Sequence, residues 1–168
     1  MRAALALVIA LSGPAMAQDG MPQFDGASTD ACLSAQAGPD GNPESCIGSA
    51  ARQCMEGESG GTTVVMSYCL GEELRHWDGL LNKSYAAVMA QSKATDDEMA
   101  DLGSAAPKQA PLLQQMQRNW IAFRDAACSY EGSRWGGGTG AGPAGTDCML
   151  TLTARQYLWI NDYLTEGR

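Results

Sequence analysis

Six cysteines constrain the fold of this chain more strongly than any other feature of its sequence. They are Cys32, Cys46, Cys54, Cys69, Cys128 and Cys148. None of them has the close Cys-x-x-Cys spacing of a structural zinc site, so we predict neither a bound metal nor another cofactor. An even number of cysteines favours disulfides where the compartment is oxidising, although the count alone leaves many pairings open.

Residues 1–17 have the layout of a secretory signal peptide, which would place the cysteines in such a compartment. Arg2 precedes an apolar run from Ala3 to Leu11, and Ala15-Met16-Ala17 supplies an Ala-x-Ala cleavage site. The apolar run is about half as long as the roughly 20 residues that span a bilayer, so it favours cleavage over a membrane anchor. We therefore predict a mature chain that begins at Gln18, is periplasmic or secreted, and has no membrane span.

Each neighbouring pair of cysteines is centred on a stretch of turn-forming residues. The three midpoints fall at Pro39, between Gly61 and Thr62, and at Gly138. Two antiparallel helices joined by a turn bring together residues that are equidistant from the turn, within reach of a disulfide. The spacing therefore predicts three bridges that each close a hairpin, namely Cys32–Cys46, Cys54–Cys69 and Cys128–Cys148.

Apolar residues at steps of three and four predict helices on both sides of these turns. The predicted helices cover residues 42–54, from Thr62 or Thr63 to about 92, from Pro107 or Pro111 to 130, and from about 146 to 164. The acids that follow Thr95, from Asp96 to Glu98, predict the capped first turn of a further short helix. No segment shows sustained period-two alternation, so we predict an all-α fold, a small disulfide-stapled bundle of antiparallel helical hairpins.

Two motifs in the predicted helices resemble a known family. One is Trp77-Asp78 followed by Leu81-Asn82 and Tyr85, and the other is Gln117-Arg118-x-Trp120-x-x-Phe123-Arg124-Asp125-x-x-Cys128. With Cys148 and a Gly-Gly-Thr stretch before it, they resemble the lysozyme inhibitor LprI-like N-terminal domain family over about residues 66–164. The resemblance implies a small exported helical domain and, for some members, inhibition of lysozyme. Residues 18–61 then form a Cys-containing N-terminal helical extension, and residues 62–168 form the LprI-like helical domain.

The residues of these motifs are expected to hold the bundle together. Trp77, Trp120 and Trp159 lie on three different predicted helices, so each is expected to place one ring in the centre of the bundle. Asparagine does not favour helices, so Asn82 is expected to bond to a neighbouring helix.

Arg124 and Asp125 are adjacent in sequence, and adjacent helical residues do not face each other. We therefore expect Arg124 to pair with Asp78 or Glu73, and Asp125 to pair with Arg155 or a backbone N–H. The alternative is that Arg124 and Asp125 contact a partner protein.

Enzymatic chemistry has little support in the sequence. The chain has a single histidine, His76, and no Gly-x-Ser-x-Gly motif accompanies it. Glu73-x-x-His76 is only half of a carboxylate di-metal motif, and Glu72 with His76 is expected to form a solvated pair. We therefore predict that the protein is not an enzyme and has no catalytic residues.

The candidate partner contact is the dipeptide Arg134-Trp135, in the glycine-rich loop between Glu131 and Asp147. Tryptophan and arginine are frequent hot spots of protein interfaces. A loop closed at its base by the predicted Cys128–Cys148 bridge also loses less entropy when it binds. The alternative is that Trp135 folds back over a hydrophobic gap.

The charge of the chain restricts its partners. The net charge is −8, and cleavage would remove Arg2 and leave the mature chain at about −9. A chain of this charge is repelled by nucleic acids and anionic membranes but is steered toward basic proteins, a class that includes many lysozymes. We predict an exported protein that binds and occludes a peptidoglycan-cleaving glycosidase without catalysis. The competing interpretation is a structural or adaptor module of the cell envelope that binds another exported protein, and the sequence leaves the oligomeric state open.

Overall fold

The computed structural model describes residues 20–165, so the proposed signal peptide lies outside the described residues. This range folds into five α-helices and one short 3₁₀ helix, and it contains no β-strand. The elements are α1 (Ala27–Ala35), the 3₁₀ helix (Pro43–Cys46), α2 (Ser49–Cys54), α3 (Thr63–Asp101), α4 (Gln109–Ser133) and α5 (Ala141–Thr165). The all-α prediction is confirmed.

Three long helices form an antiparallel bundle. Helix α3 has 39 residues and is therefore about 60 Å long. Short connections join it to α4 and join α4 to α5, and α5 packs along α3 over the most extensive helix contact of the fold. Because helices that follow one another in the chain run in opposite directions, α3 and α5 are parallel, and the beginning of α3, the end of α4 and the beginning of α5 lie at one end of the bundle.

All three predicted disulfides are present in the structure. Their Cα–Cα distances are 5.7 Å for Cys32–Cys46, 5.7 Å for Cys54–Cys69 and 5.4 Å for Cys128–Cys148. The first joins α1 to the 3₁₀ helix, the second joins α2 to α3, and the third joins α4 to α5. Two of the three bridges therefore lie at the end of the bundle where α3 and α5 begin.

Helix α3 begins as the sequence predicts but continues well beyond Ser92. The Thr62 hydroxyl caps it by accepting a hydrogen bond from the backbone N–H of Val65 at 3.3 Å. The prediction of a new helix after Thr95 is wrong, because α3 runs through this region. The Asp96 carboxylate instead caps α4, where it accepts hydrogen bonds from the N–H groups of Gln109 at 2.6 Å and Ala110 at 3.0 Å.

Two other helix boundaries differ from the prediction for local reasons. The helix predicted over residues 42–54 is divided in two at Gly48, whose φ of 78° is incompatible with a continuing α-helix. Helix α5 begins at Ala141 rather than near Thr146. Its third residue is Pro143, which is tolerated in the first turn because no intrahelical N–H is required there.

The core is built around Trp77, whose side chain is completely buried. Leu150 and Ala154 of α5 pack around it, and the ring of Tyr157 lies 5.5 Å from it between centroids. Burial, and then the negative charge of Asp30, raise the pKa of the Tyr157 phenol above its usual value, so the phenol stays neutral. The same cluster includes Cys46 and Ala51, so residues of the N-terminal extension share the core of the bundle.

The other two tryptophans do not fill the centre of the bundle as predicted. Trp120 is half-buried at the edge of a second cluster, which is formed by Leu81, Val88, Leu113 and Ile160. Tyr85 packs against the same cluster. Trp159 is 49% exposed. Helix α4 lies on the outside of the bundle, and Leu113 and Cys128 are its only buried residues. Phe123 of the same helix, which belongs to the second motif, is 61% exposed.

Candidate functional site

A buried carboxylate joins the N-terminal extension to α3. One oxygen of Glu73 accepts hydrogen bonds from the backbone N–H of Gly48 and from the indole N–H of Trp77, both at 2.9 Å. The other oxygen accepts from the N–H of Ala51 at 2.6 Å. Glu73 is completely buried and caps the beginning of α2 from inside the core. Contrary to the prediction, it does not pair with Arg124.

Arg124 of the second family motif is engaged in contacts within the bundle. Contrary to the prediction, it pairs with its neighbour Asp125, at 3.0 Å from Nε and 2.9 Å from a terminal nitrogen. It also donates to the Thr153 hydroxyl of α5 at 3.4 Å and lies 4.9 Å from the centre of the Trp120 ring. Arg124 therefore links α4 to α5.

Two other expected pairings take different partners. Asn82 donates to Asp78 at 2.9 Å, one turn away on α3, rather than to another helix. Arg155 pairs with Glu44 of the 3₁₀ helix at 3.3 Å, so Arg155 is not the partner of Asp125. Of the remaining motif residues, Gln117 accepts from Gln156 of α5 at 3.0 Å, whereas Arg118 is exposed.

The single histidine fastens α1 to α3. Its Nε2 lies 2.8 Å from a carboxylate oxygen of Asp30, and its ring packs directly against Gly26. Glu72 pairs with Arg75, so the expected Glu72–His76 pair does not form. Within residues 20–165, no group of three or more histidine, cysteine or acidic side chains is arranged to hold a metal ion.

The loop that carries the candidate partner contact is short and ordered by hydrogen bonds. Arg134 pairs with Glu131 one turn back at 2.9 Å, and Trp135 is 52% exposed. The N–H of Gly138 donates to the carbonyl of Trp135 at 2.9 Å, and the N–H of Ala141 donates to the carbonyl of Gly138 at 3.1 Å. The loop therefore turns twice between α4 and α5, and both turns are closed by backbone hydrogen bonds.

Glycines allow the Trp135 ring to lie flat on this loop. A side chain at Gly140 would collide with the indole ring, which rests on that residue. Gly136 and Gly137 have φ values of 57° and 81°, in the region that favours glycine. Trp135 is thus neither buried over a hydrophobic gap nor detached from the loop, because its ring contacts Gly140 and the residue is 52% exposed.

A second loop lies at the same end of the bundle. It connects Cys54 of α2 to Thr62 and is closed by the Cys54–Cys69 bridge, as the α4–α5 loop is closed by Cys128–Cys148. Glu56 and Glu58 are exposed on it. We call the surface formed by residues 55–64 and 130–140 the disulfide end of the bundle. It also exposes the side chains of Val64 and Tyr130.

A groove at the opposite end was not predicted from the sequence. It has a volume of about 550 Å³ and lies between the last turns of α3 and the first turns of α4. Its walls include Val88, Leu112, Leu113, Met116 and Tyr163. The groove forms because α3 and α4 extend beyond the end of α5. The apolar faces of the last turns of α3 and the first turns of α4 are therefore not covered by a third helix.

Searches for similar proteins return a family and two relatives. The model of the family described as "Lysozyme inhibitor LprI" matches residues 54–159, more than half of the chain. An uncharacterized protein of Rhizobium meliloti (strain 1021) is 32% identical over 91 residues, which are 54% of this chain and 66% of that protein. The "uncharacterized 17.7 kDa protein in puhA 5′region" of Rhodobacter capsulatus is 25% identical over 157 residues, 93% of each chain. No solved structure matches the chain.

The matched span begins at Cys54 and therefore includes two of the three disulfides, both motifs and the α4–α5 loop. The similarity to the Rhodobacter protein extends over nearly the whole chain. A search of the described helices finds none with the length and hydrophobicity that a bilayer crossing requires.

Proposed function

Because the chain belongs to the lysozyme inhibitor LprI family, we propose that it binds a basic lysozyme outside the cytoplasm and occludes its substrate cleft without catalysis. The observation that carries this proposal is the family match over residues 54–159, which includes the bundle and the loops at its disulfide end. Three disulfides are typical of proteins that fold in oxidising compartments, in agreement with a periplasmic or secreted location.

The charge of the protein supports a basic partner. With 19 acidic and 11 basic residues, the chain attracts cationic proteins over a distance and raises their rate of encounter. Inhibition by occlusion needs only a stable surface that fits the cleft. A bundle with a continuous core and two disulfide-closed loops at one end meets this requirement, because little loop entropy is lost on binding.

The purified, oxidised protein is expected to slow cell-wall hydrolysis by a basic lysozyme at micromolar concentration or below. Because charge steers the encounter, inhibition should weaken markedly when the ionic strength rises from about 0.05 M to about 0.5 M, where exposed charges are screened. Turnover of a cell-wall suspension, measured at several salt concentrations, tests this. An absence of inhibition across several lysozyme classes at low salt would contradict the proposal and favour an adaptor that binds another exported protein.

Trp135→Ala is expected to weaken inhibition about tenfold with a nearly unchanged melting temperature, since the ring is half exposed and lies outside both core clusters. Trp159→Ala is the matched control. Trp159 is exposed to a similar extent, 49% against 52%, but lies near the other end of α5. An equal loss of inhibition in both variants would argue against a specific role for the loop. A large drop in the melting temperature of Trp135→Ala would show instead that the ring stabilises the fold.

A further inference from the structure

We propose that the two loops of the disulfide end act together as one rigid, two-part binding surface for a cationic cleft. Trp135 enters the cleft, and Glu56 and Glu58 contact basic residues on its rim. The inference rests on the proposed function and specifies which surface carries it.

The placement of the loops is the first argument. The loop of residues 55–62 leads into α3, and the loop of residues 134–140 connects α4 to α5, so both lie where these helices meet. Gly142, just inside α5, lies against Ser67 of the first turns of α3. Contact between α3 and α5 at this level brings the two loops to neighbouring positions, within the footprint of a single partner.

The rigidity of both loops is the second argument. Cys54–Cys69 and Cys128–Cys148 each tie the two flanks of one loop together. Gly60 packs so closely against the carbonyl of Met55 that any side chain there would collide with it, and its N–H donates to the carbonyl of Gly57 at 3.1 Å. Since both loops are held in one conformation before binding, most of the binding energy of their side chains is retained in the complex.

The charge of this end is the third argument. Among the ion pairs of residues 20–165, none involves Glu56 or Glu58. The cation of the loop, Arg134, is already neutralised by Glu131. The disulfide end therefore presents the carboxylates of Glu56 and Glu58 together with an exposed aromatic ring, which complements a basic surface.

The opposite end allows a charge-matched test. Glu56→Gln/Glu58→Gln removes two carboxylates from the disulfide end, and Asp97→Asn/Glu98→Gln removes two exposed carboxylates from the last turns of α3. The two variants have the same net charge, and about 50 Å of α3 separates the altered sites. In inhibition assays with a basic lysozyme at low salt, we expect the first variant to be about fivefold weaker and the second to be nearly unchanged.

Gly140→Ala tests whether inhibition depends on the position of the Trp135 ring against Gly140. The added methyl group displaces the indole ring, which is half exposed and can move without disturbing the core. We expect inhibition to weaken about tenfold, the same loss that we expect for Trp135→Ala, with little change in the melting temperature. Gly79→Ala serves as the control, because a side chain at that exposed position of α3 meets no other atom.

The outcomes separate this inference from the function on which it rests. If the unaltered protein inhibits no lysozyme, the proposed function fails, and the inference fails with it. If the unaltered protein inhibits but the two charge variants lose the same amount, net charge alone acts and the two-part surface is wrong. Full inhibition by Gly140→Ala, with the ring shown by tryptophan fluorescence to have moved, would also overturn the inference and leave the proposed function intact.

Discussion

Replacement of Glu73 by alanine is expected to lower the free energy of unfolding by about 4 kcal/mol. The carboxylate accepts three hydrogen bonds inside the core, from Gly48, Ala51 and Trp77, and the side chain has no access to solvent. Alanine would leave these three donors without a partner, and each unsatisfied buried donor costs about 1–3 kcal/mol. Urea denaturation followed by circular dichroism measures the change.

Two further variants isolate the cause. Glu73→Gln keeps the volume of the side chain and one acceptor oxygen, which can still accept from Gly48 and Trp77. It places an N–H₂ group opposite the N–H of Ala51, so only part of the loss should remain. Glu72→Ala changes the adjacent residue, whose surface ion pair with Arg75 contributes about 0.5 kcal/mol at most. Equal stability of Glu73→Ala and Glu72→Ala would show that the buried network contributes little to the fold.

Removal of the Cys54–Cys69 bridge by a double alanine substitution is expected to cost about 3 kcal/mol and to lower the melting temperature by about 10 °C. The bridge closes a separation of 15 residues, and without it the unfolded chain gains the freedom of that loop. Both cysteines belong to the core cluster around Trp77, so their loss also removes buried contacts. Differential scanning calorimetry of the oxidised variant measures the shift.

The control for this variant is the Cys32–Cys46 bridge, which closes a nearly equal separation of 14 residues. Loop entropy alone predicts a similar loss from its removal. Cys46 belongs to the same core cluster as Cys54 and Cys69, whereas Cys32 is only partly buried against it. Any additional loss in the Cys54–Cys69 variant therefore measures the buried contacts that this pair makes beyond those of Cys32 and Cys46. A change below about 1 kcal/mol would mean that the unfolded chain keeps these loops closed without the bridge.

Features that depend on local sequence could be predicted, and the disulfide pairing is the best example. Hairpin geometry relates each pair of cysteines to the turn between them, so spacing alone was sufficient. The cap at Thr62 is equally local. The length of α3 was underestimated. A local signal for its full length was available, because the chain has neither glycine nor proline between Gly79 and Gly103.

Features that depend on which helix faces which could not be predicted from one sequence. Arg124 was assigned a distant partner because neighbouring helical residues point in different directions, but its long side chain can bend around the helix. Trp159 was expected in the core because it supplies a large ring to the third long helix, whereas it is 49% exposed. For Glu73 a signal did exist, since a carboxylate four residues after Cys69 and four before Trp77 lies on the apolar stripe of α3.

At the candidate site, the sequence indicated the Arg134-Trp135 loop but not its neighbour. Nothing in the local sequence distinguishes Glu56 and Glu58 from the other acidic residues of the chain. Their position at the same end of the bundle as the α4–α5 loop follows from the order of the three long helices, which is a tertiary property. Gly140 gave no signal of its own within a tract of many glycines, because its role depends on where the Trp135 ring rests.

The order of the disulfides has a consequence for biogenesis. Each bridge joins cysteines that follow one another in the chain, so no bridge encloses or crosses another. A chain that is translocated from its N-terminus exposes the partners of each bridge before the next cysteine appears. The shortest loop would join Cys46 to Cys54, but these two cysteines belong to different native bridges, so the order of exposure rather than loop entropy favours the native pairs. Oxidative folding of this protein can therefore proceed vectorially, without a disulfide-reshuffling step.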